Sequence, residues 1–297
     1  MSKQLVWAII TIFCLPHLIT ASNAPLSRKD HLKQRYYALL EIDDILLPHK
    51  GTYFLPVSYQ HNPNASHYAD IQSDPNITDR GEFNSQYEAE IQVSFLVVLS
   101  REFFGPSNTF FLGYTQQSWW QMYNAEWSRP FKETNYKPEL FMRHIFKSPS
   151  SILGWESLGF DVGYMHHSNG QIQGRSRSWD RLFGRIAYMK QSTMLILSGW
   201  YRLSESQADD NNPKIQDYYG YGSIEVDHFI GEKHRVALEV RPGKTRWGFT
   251  GKLFGPAHQG VSWFIKADYG SSASLNDYDH QTRRIGFGFQ SNTLLGH

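Results

Sequence analysis

From Tyr87 to Leu99 the chain repeats every two residues. Tyr87, Ala89, Ile91, Val93, Phe95, Val97 and Leu99 are apolar, and Glu88, Glu90, Gln92, Ser94 and Ser100 occupy the alternate positions, with only Leu96 and Val98 as exceptions. An extended strand turns successive side chains to opposite sides. A run this long, with one apolar and one polar face, suits a strand that meets lipid outside and a polar lumen inside. Eleven further segments read the same way: 52–60, 108–121, 134–146, 156–168, 179–190, 192–204, 216–230, 233–242, 245–254, 260–270 and 282–290. Together with 86–100 they make twelve, an even number, as bacterial single-chain barrels require. Arg241-Pro242-Gly243-Lys244 and Gly255-Pro256 read as tight turns between strands. The fold expected is all-β, a twelve-stranded antiparallel transmembrane β-barrel.

Composition agrees with this and excludes some alternatives. Charged residues are 19% and aromatics 15%, the formal net charge is +1 and the mean hydropathy is −0.49. No global positive field points to nucleic acid, and the chain is too polar for a bundle of membrane helices. The start Met1-Ser2-Lys3-Gln4 is basic, Leu5 to Leu18 is apolar, and Ala21, Ser22 and Ala24 are small. Residues 1–24 therefore read as a secretory signal peptide, the apolar run being too short for a comfortable membrane anchor. Cys14, the single cysteine, lies within that segment, so disulfides and thiolate ligands are not expected beyond it. Residues 25–51 read as an N-terminal arm, a short helix or a plug, and 52–297 as the barrel. Residues 61–85, rich in Asn, Asp, Ser and Pro, read as an irregular connection. Trp119, Trp120, Trp179, Trp200, Trp247 and Trp263 lie near strand ends, where aromatic girdles form at the headgroup level; packing in the core of a soluble sandwich is the alternative.

The segment that carries chemistry is 156–170. Its even positions Leu158, Phe160, Val162, Tyr164, His166 and Ser168 share one face, which the alternation turns to lipid. On the next strand Asp180 shares parity with Leu182, Ile186 and Tyr188, while Arg181 and Arg185 take the other side. If 169–178 is the connecting loop, Asp180 neighbours His166. Polar groups on a lipid face need partners or a task. A serine, a histidine and a carboxylate together suit acyl transfer, with His166 taking the Ser168 proton and Asp180 orienting the imidazole. A non-catalytic channel or structural barrel predicts the same strands without explaining why these three groups share a face.

Six stretches resemble the outer-membrane phospholipase A family: Tyr-Thr-Gln-Gln-Ser-Trp-Trp-Gln at 114–121, Arg-Pro-Phe-Lys-Glu-Thr-Asn-Tyr at 129–136, Gly-Tyr-Met-His-His-Ser-Asn-Gly at 163–170, Ser-Arg-Ser-Trp-Asp-Arg-Leu at 176–182, Asp-Asp-Asn-Asn-Pro at 209–213 and Gln-Thr-Arg-Arg-Ile-Gly at 281–286. The resemblance implies a twelve-stranded barrel in the outer membrane that hydrolyses acyl esters of phospholipids and lysophospholipids near the outer leaflet. It implies Ser168 as nucleophile, His166 as base, and Asp180 at a position where the family usually has asparagine. It also implies calcium, with Ser128 and Ser176 at coordinating positions and Asp210 (or Asp209) at a calcium-linked acidic position. Gln171 stands where the family has arginine, and its backbone carbonyl remains a hard oxygen donor. Finally it implies an active homodimer, with Gln116 at the contact, on the lipid face beside Leu112 and Tyr114.

Overall fold

The computed structural model describes residues 36–37, 46–65, 68, 84–125, 128, 131–206, 209–271 and 273–291. The expected signal segment 1–24 and most of the expected arm lie outside them. Twelve strands close into an antiparallel barrel: β1 (Thr52–Gln60), β2 (Tyr87–Arg101), β3 (Asn108–Trp120), β4 (Glu133–Ile145), β5 (Trp155–Ser168), β6 (Ser178–Lys190), β7 (Thr193–Arg202), β8 (Gly222–Ile230), β9 (His234–Arg241), β10 (Gly248–His258), β11 (Val261–Ser271) and β12 (Gln281–Ser291). Each pairs with its sequence neighbours, and β12 closes the ring on β1 through Arg284↔Gln60 and Ser291↔Thr52. Closure leaves no open edge in the hydrocarbon. At one end the strands are joined mostly by short turns, such as 191–192 and 259–260, and at the other by longer loops, including 169–177 and 203–221.

The alternation of β2 is borne out. Glu88, Glu90, Gln92 and Ser94 are buried in the lumen, while Tyr87 and Leu99 are exposed. Buried carboxylates there are paired, as a water-poor interior demands. Glu90 accepts from Tyr53 Oη (2.5 Å), Gln117 Nε2 (2.7 Å) and Lys266 Nζ (2.7 Å). Arg143 grips Asp161 with Nε (2.7 Å) and Nη2 (2.8 Å). The exception Leu96 has its own reason: it joins Leu47, Phe111, Phe141, Met165 and Phe183 in an apolar cluster inside the barrel, with Val98 packed against it. Leu47, from the described end of the arm, lies on the short strand Leu46–Pro48 paired with β2. The following His49 and Lys50 both reach Glu139.

Four expectations need correction. Leu158 does not face lipid. The β5–β6 register shifts between Ser157 and Gly159, and this bulge turns Leu158 inward against Ile145, Ala187 and Met189. Gly255-Pro256 is not a turn; it lies within β10, where the register shifts between Phe254 and Ala257, a bulge that lets a strand accommodate proline. The segment expected as strand 216–230 begins with the helix α1 (Ile215–Tyr219), and β8 starts only at Gly222. Three of the six tryptophans expected in a girdle point inward: Trp119 and Trp179 are fully buried, and Trp200 packs against the interior clusters. Trp120 lies on the outer parity, paired with Ala89 and covered by Phe131. Trp263, stacked on the exposed Phe287, and Trp247, 54% exposed, fit the girdle expectation, together with Tyr201, Tyr221 and Tyr269.

Candidate active site

The catalytic candidates sit at the long-loop end of β5 and β6. Below the bulge the two strands pair without interruption, and His166 lies directly opposite Asp180 and Ser168 opposite Ser178. Directly paired residues share a face, which puts Ser168, His166 and Asp180 together on the outer surface. Their neighbours there are lipid-facing: Val162, Tyr164 and Leu182 are all exposed, whereas Asp161, Met165, His167 and Arg181 on the alternate positions are buried inside.

His166 Nδ1 and Asp180 Oδ1 are 2.7 Å apart, with the side chains 37% and 30% exposed. A carboxylate only accepts, so Nδ1 carries the hydrogen and Nε2 presents a lone pair. That is the tautomer a general base needs. Ser168, two residues along the same strand face, is not hydrogen-bonded to the ring among the described contacts. Such bonds are often open in the resting state and close with substrate.

Tyr164 was not singled out in the sequence. Its hydroxyl donates to the same Asp180 Oδ1 at 2.5 Å. The signal that would have found it is its place two residues before His166 on the same parity. Asp180 thus has two donors, which lowers the cost of holding a carboxylate on the lipid side.

Beyond Ser168 the chain turns sharply. Asn169 N–H is taken by the Arg177 carbonyl (3.0 Å), and Asn169 Nδ2 donates to Arg175 O and Asn276 Oδ1, both at 2.8 Å. Gly170 has a left-handed φ of 63°, and a Cβ there would lie 2.9 Å from the Tyr136 ring, the residue paired with Ser168 across β4–β5. Both facts require glycine. The Gly170 N–H, with no partner among the described residues, is the first free backbone donor after Ser168.

The residues expected to bind calcium are spread over three loops. Ser176 Oγ accepts from Asn211 Nδ2 at 3.2 Å, which ties the 169–177 loop to the 203–214 segment. Gln171 is exposed. Asp210 is engaged by Arg202 Nη2 at 2.7 Å, and Asp209 by Ser206 Oγ at 2.5 Å. Ser128 stays within its own loop, where its carbonyl accepts from Trp120 Nε1 (2.7 Å) and its hydroxyl approaches Ala125 O (3.4 Å). Among the described residues no group of three or more His, Cys, Asp or Glu side chains gathers for a metal. The donors nonetheless fit a hard cation in kind, being hydroxyl and carbonyl oxygens. Beside Asp210, Glu205 Oε1 lies 3.7 Å from Arg202 Nη2, and burial raises the pKa of its carboxyl in spite of that cation.

On the same outer face, Gln116 accepts from Tyr114 Oη (2.9 Å) and approaches Ser118 Oγ (3.4 Å). Ser118 in turn meets Thr134 Oγ1 at 3.0 Å. A polar strip therefore runs across β3 and β4 toward the row of Ser168, His166 and Asp180.

The profile of the Phospholipase A1 family matches residues 41–290. Phospholipase A1 of Escherichia coli (strain K12) is 33% identical over 213 residues, covering 70% of this chain and 71% of that protein. Among solved structures, the outer membrane phospholipase A of Salmonella typhi, a dimer with bound calcium, superimposes with a TM-score of 0.77 at 26% identity, covering 90% of this chain and 99% of that one. An active-site mutant of the Escherichia coli outer membrane phospholipase A, with an asparagine changed to alanine, gives the same TM-score, identity and coverage.

Proposed function

The chain belongs to the Phospholipase A1 family, and on that premise we propose that it hydrolyses acyl esters of phospholipids and lysophospholipids at the outer face of the outer membrane, with Ser168 as nucleophile, His166 as base and Asp180 as the orienting acid. The observation that carries this reading is the 2.7 Å contact between His166 Nδ1 and Asp180 Oδ1 on the lipid-facing side of the barrel. An ion-pair geometry there has no packing purpose and costs free energy beside lipid.

The steps follow from the atoms present. His166 Nε2 removes the proton of Ser168 Oγ as that oxygen attacks the ester carbonyl. The imidazolium that forms is stabilised by Asp180, itself held by Tyr164. The Gly170 N–H donates to the oxyanion, charge for which a preorganised backbone donor is well suited. His166 then delivers its proton to the departing glycerol oxygen, leaving an acyl-serine. Water, deprotonated by the same ring, attacks the acyl carbonyl, and the ring returns that proton to Ser168 Oγ as the acyl–serine bond breaks and the fatty acid leaves. The outward position of Ser168 lets the acyl chain stay in the membrane throughout.

Calcium would be held by the Gln171 carbonyl and the Ser176 hydroxyl, with the Asp210 segment alongside, and when bound it supplies positive charge toward the developing oxyanion. Ser128 stands on a separate loop, so its contribution requires the loops to approach further or a second copy to supply it. The polar strip around Gln116 suits pairing of two barrels, because amide pairs hidden from lipid have no competing water. The test is hydrolysis by detergent-folded protein with calcium or chelator, beside Ser168→Ala. Activity that needs calcium and vanishes in Ser168→Ala is expected. Undiminished turnover by folded Ser168→Ala would remove Ser168 from the mechanism.

A further inference from the structure

Most cations in the barrel lumen hold a carboxylate. Lys50 and Arg185 reach Glu139, Arg143 grips Asp161, Arg235 reaches Asp227 and Lys266 reaches Glu90. Lys137 and Arg181 do not. Among the described residues Lys137 has no hydrogen bond or ion pair, and the Arg181 guanidinium finds only Met165 Sδ, 2.7 Å from Nη2. A thioether is a weak acceptor. The two cations share one wall. Tyr136 pairs with Ser168 and Glu139 with Met165, which sets Lys137 across from His167; Met165 then pairs with Arg181, and His167 with Trp179. Arg181 Cζ stacks 3.8 Å from the centre of the Trp179 ring, which lies 6.5 Å from the His167 ring and 5.7 Å from the Tyr219 ring. Arg241 Cζ is 5.1 Å from the Tyr219 ring on its other side. Strands β4, β5, β6 and β9 and the helix α1 thus each bring one donor to a lumenal cavity of about 430 Å³.

Donors exceed acceptors in this wall. Trp179 Nε1 donates to His167 Nδ1 at 3.2 Å, so the neutral His167 ring carries its hydrogen on Nε2. His167 Nε2, Arg181 Nε, Arg241 Nε and Tyr219 Oη are buried without a hydrogen-bond partner among the described residues. A buried donor left unpaired costs free energy, most of all on a charged group. The charges that act most on Lys137 are three cations, Lys50, Arg241 and Arg181, and one carboxylate, Glu239. Glu239 lies 3.7 Å from Arg241 Nη1 and pairs across β8–β9 with Glu225, so these two acids offset part of the positive charge at one side of the wall. We propose that this wall binds a phosphate-type oxyanion, free or as a small phosphate monoester, entering from water through the barrel mouth. The donors converge from five elements, which suits a tetrahedral ion with oxygens on every side. Guanidinium and ammonium groups are favoured partners of phosphate. The site lies across β5 from the Ser168 face and stands whether or not Ser168 is the nucleophile.

The test uses the full-length barrel folded in a maltoside detergent, with chelator present so that calcium phosphate does not form. Inorganic phosphate and glycerol 3-phosphate are titrated by calorimetry at constant ionic strength, against chloride. Saturable binding is expected, with a rise in unfolding temperature in the heat-dependent gel shift, as a ligand of the folded state produces. The tighter of the two ligands identifies the source, and either one supports the site. Lys137→Met and Arg181→Gln should each weaken binding roughly tenfold, the effect of one charge-assisted contact. Lys137 has no hydrogen bond to lose, so its variant should fold even if Arg181→Gln, which gives up the stacking on Trp179, does not. Lys252→Met removes a lumenal cation whose strongest charged neighbours are Lys266, Glu90 and Arg235, and it should leave the affinity unchanged. Titrations of both phosphates indistinguishable from chloride overturn the proposal. So does an equal loss in Lys252→Met, which would show diffuse attraction to the lumen rather than a site.

Discussion

Replacing Asp180 tests the central contact. Asp180 Oδ1 accepts from His166 Nδ1 (2.7 Å) and Tyr164 Oη (2.5 Å). Hydrogen bonds to charged groups contribute about 1.5–3 kcal/mol. The His166 and Asp180 side chains are 37% and 30% exposed, which places the pair at the low end of that range. Asp180→Ala removes the charge and both acceptors, so kcat should fall roughly tenfold to thirtyfold, since about 1.4 kcal/mol corresponds to a factor of ten. Asp180→Asn keeps an acceptor oxygen for both donors and loses only the charge. Its loss should be smaller, roughly fivefold or less. The resemblance implies asparagine at this position in the family, which makes this variant the informative intermediate. Because Asp180 acts through His166, the decrease should appear in kcat and kcat/KM alike, with KM little changed. The assay is steady-state ester hydrolysis in mixed micelles at saturating calcium, on protein whose folded gel mobility and mass match wild type. Equal kcat in wild type, Asp180→Asn and Asp180→Ala would refute the claim that Asp180 orients the base.

Three other outcomes follow from the same contacts. Tyr164→Phe should lower kcat several-fold in the Asp180 enzyme and less in Asp180→Asn, since its bond to a carboxylate is charge-assisted; a double-mutant cycle on kcat that shows no coupling would dismiss the Tyr164 role. Chelation should abolish turnover and calcium should restore it in a titration, with Ser176→Ala shifting the midpoint to higher calcium; an unshifted midpoint would exclude the Ser176 hydroxyl as a donor. Asp161→Leu strands the buried Arg143, whose Nε and Nη2 now grip the carboxylate, and should cost about 3–5 kcal/mol, seen as a lower unfolding temperature in the heat-dependent gel shift; an unchanged temperature would show that the pair does not stabilise the barrel.

The proposed catalytic face was readable because its logic is local. Parity along 156–168 and 179–190 put Ser168, His166 and Asp180 on one side, and uninterrupted pairing preserved that parity between Gly159 and Ser168. Parity failed where one extra residue entered the ladder, at Leu158, and where a strand bulged, at Gly255-Pro256. The tryptophans misled for another reason: their amphipathic rings suit both an interface and a barrel interior, and only the face on which each falls separates the two.

Strand number, antiparallel order and, where the ladder runs without a bulge, the alternation of sides were determined by the sequence alone, because a period of two is a property of the extended chain itself. The register between neighbours was decided only in the closed barrel, where every strand is fixed by two others. That register put Asp180 rather than an adjacent residue opposite His166, gave Tyr164 a carboxylate to hold, and brought Lys137, His167 and Arg181 to one wall of the lumen. These residues stand far apart in the chain or are individually unremarkable, and their meaning depends on a pairing that hydrogen bonds across the whole ring enforce together.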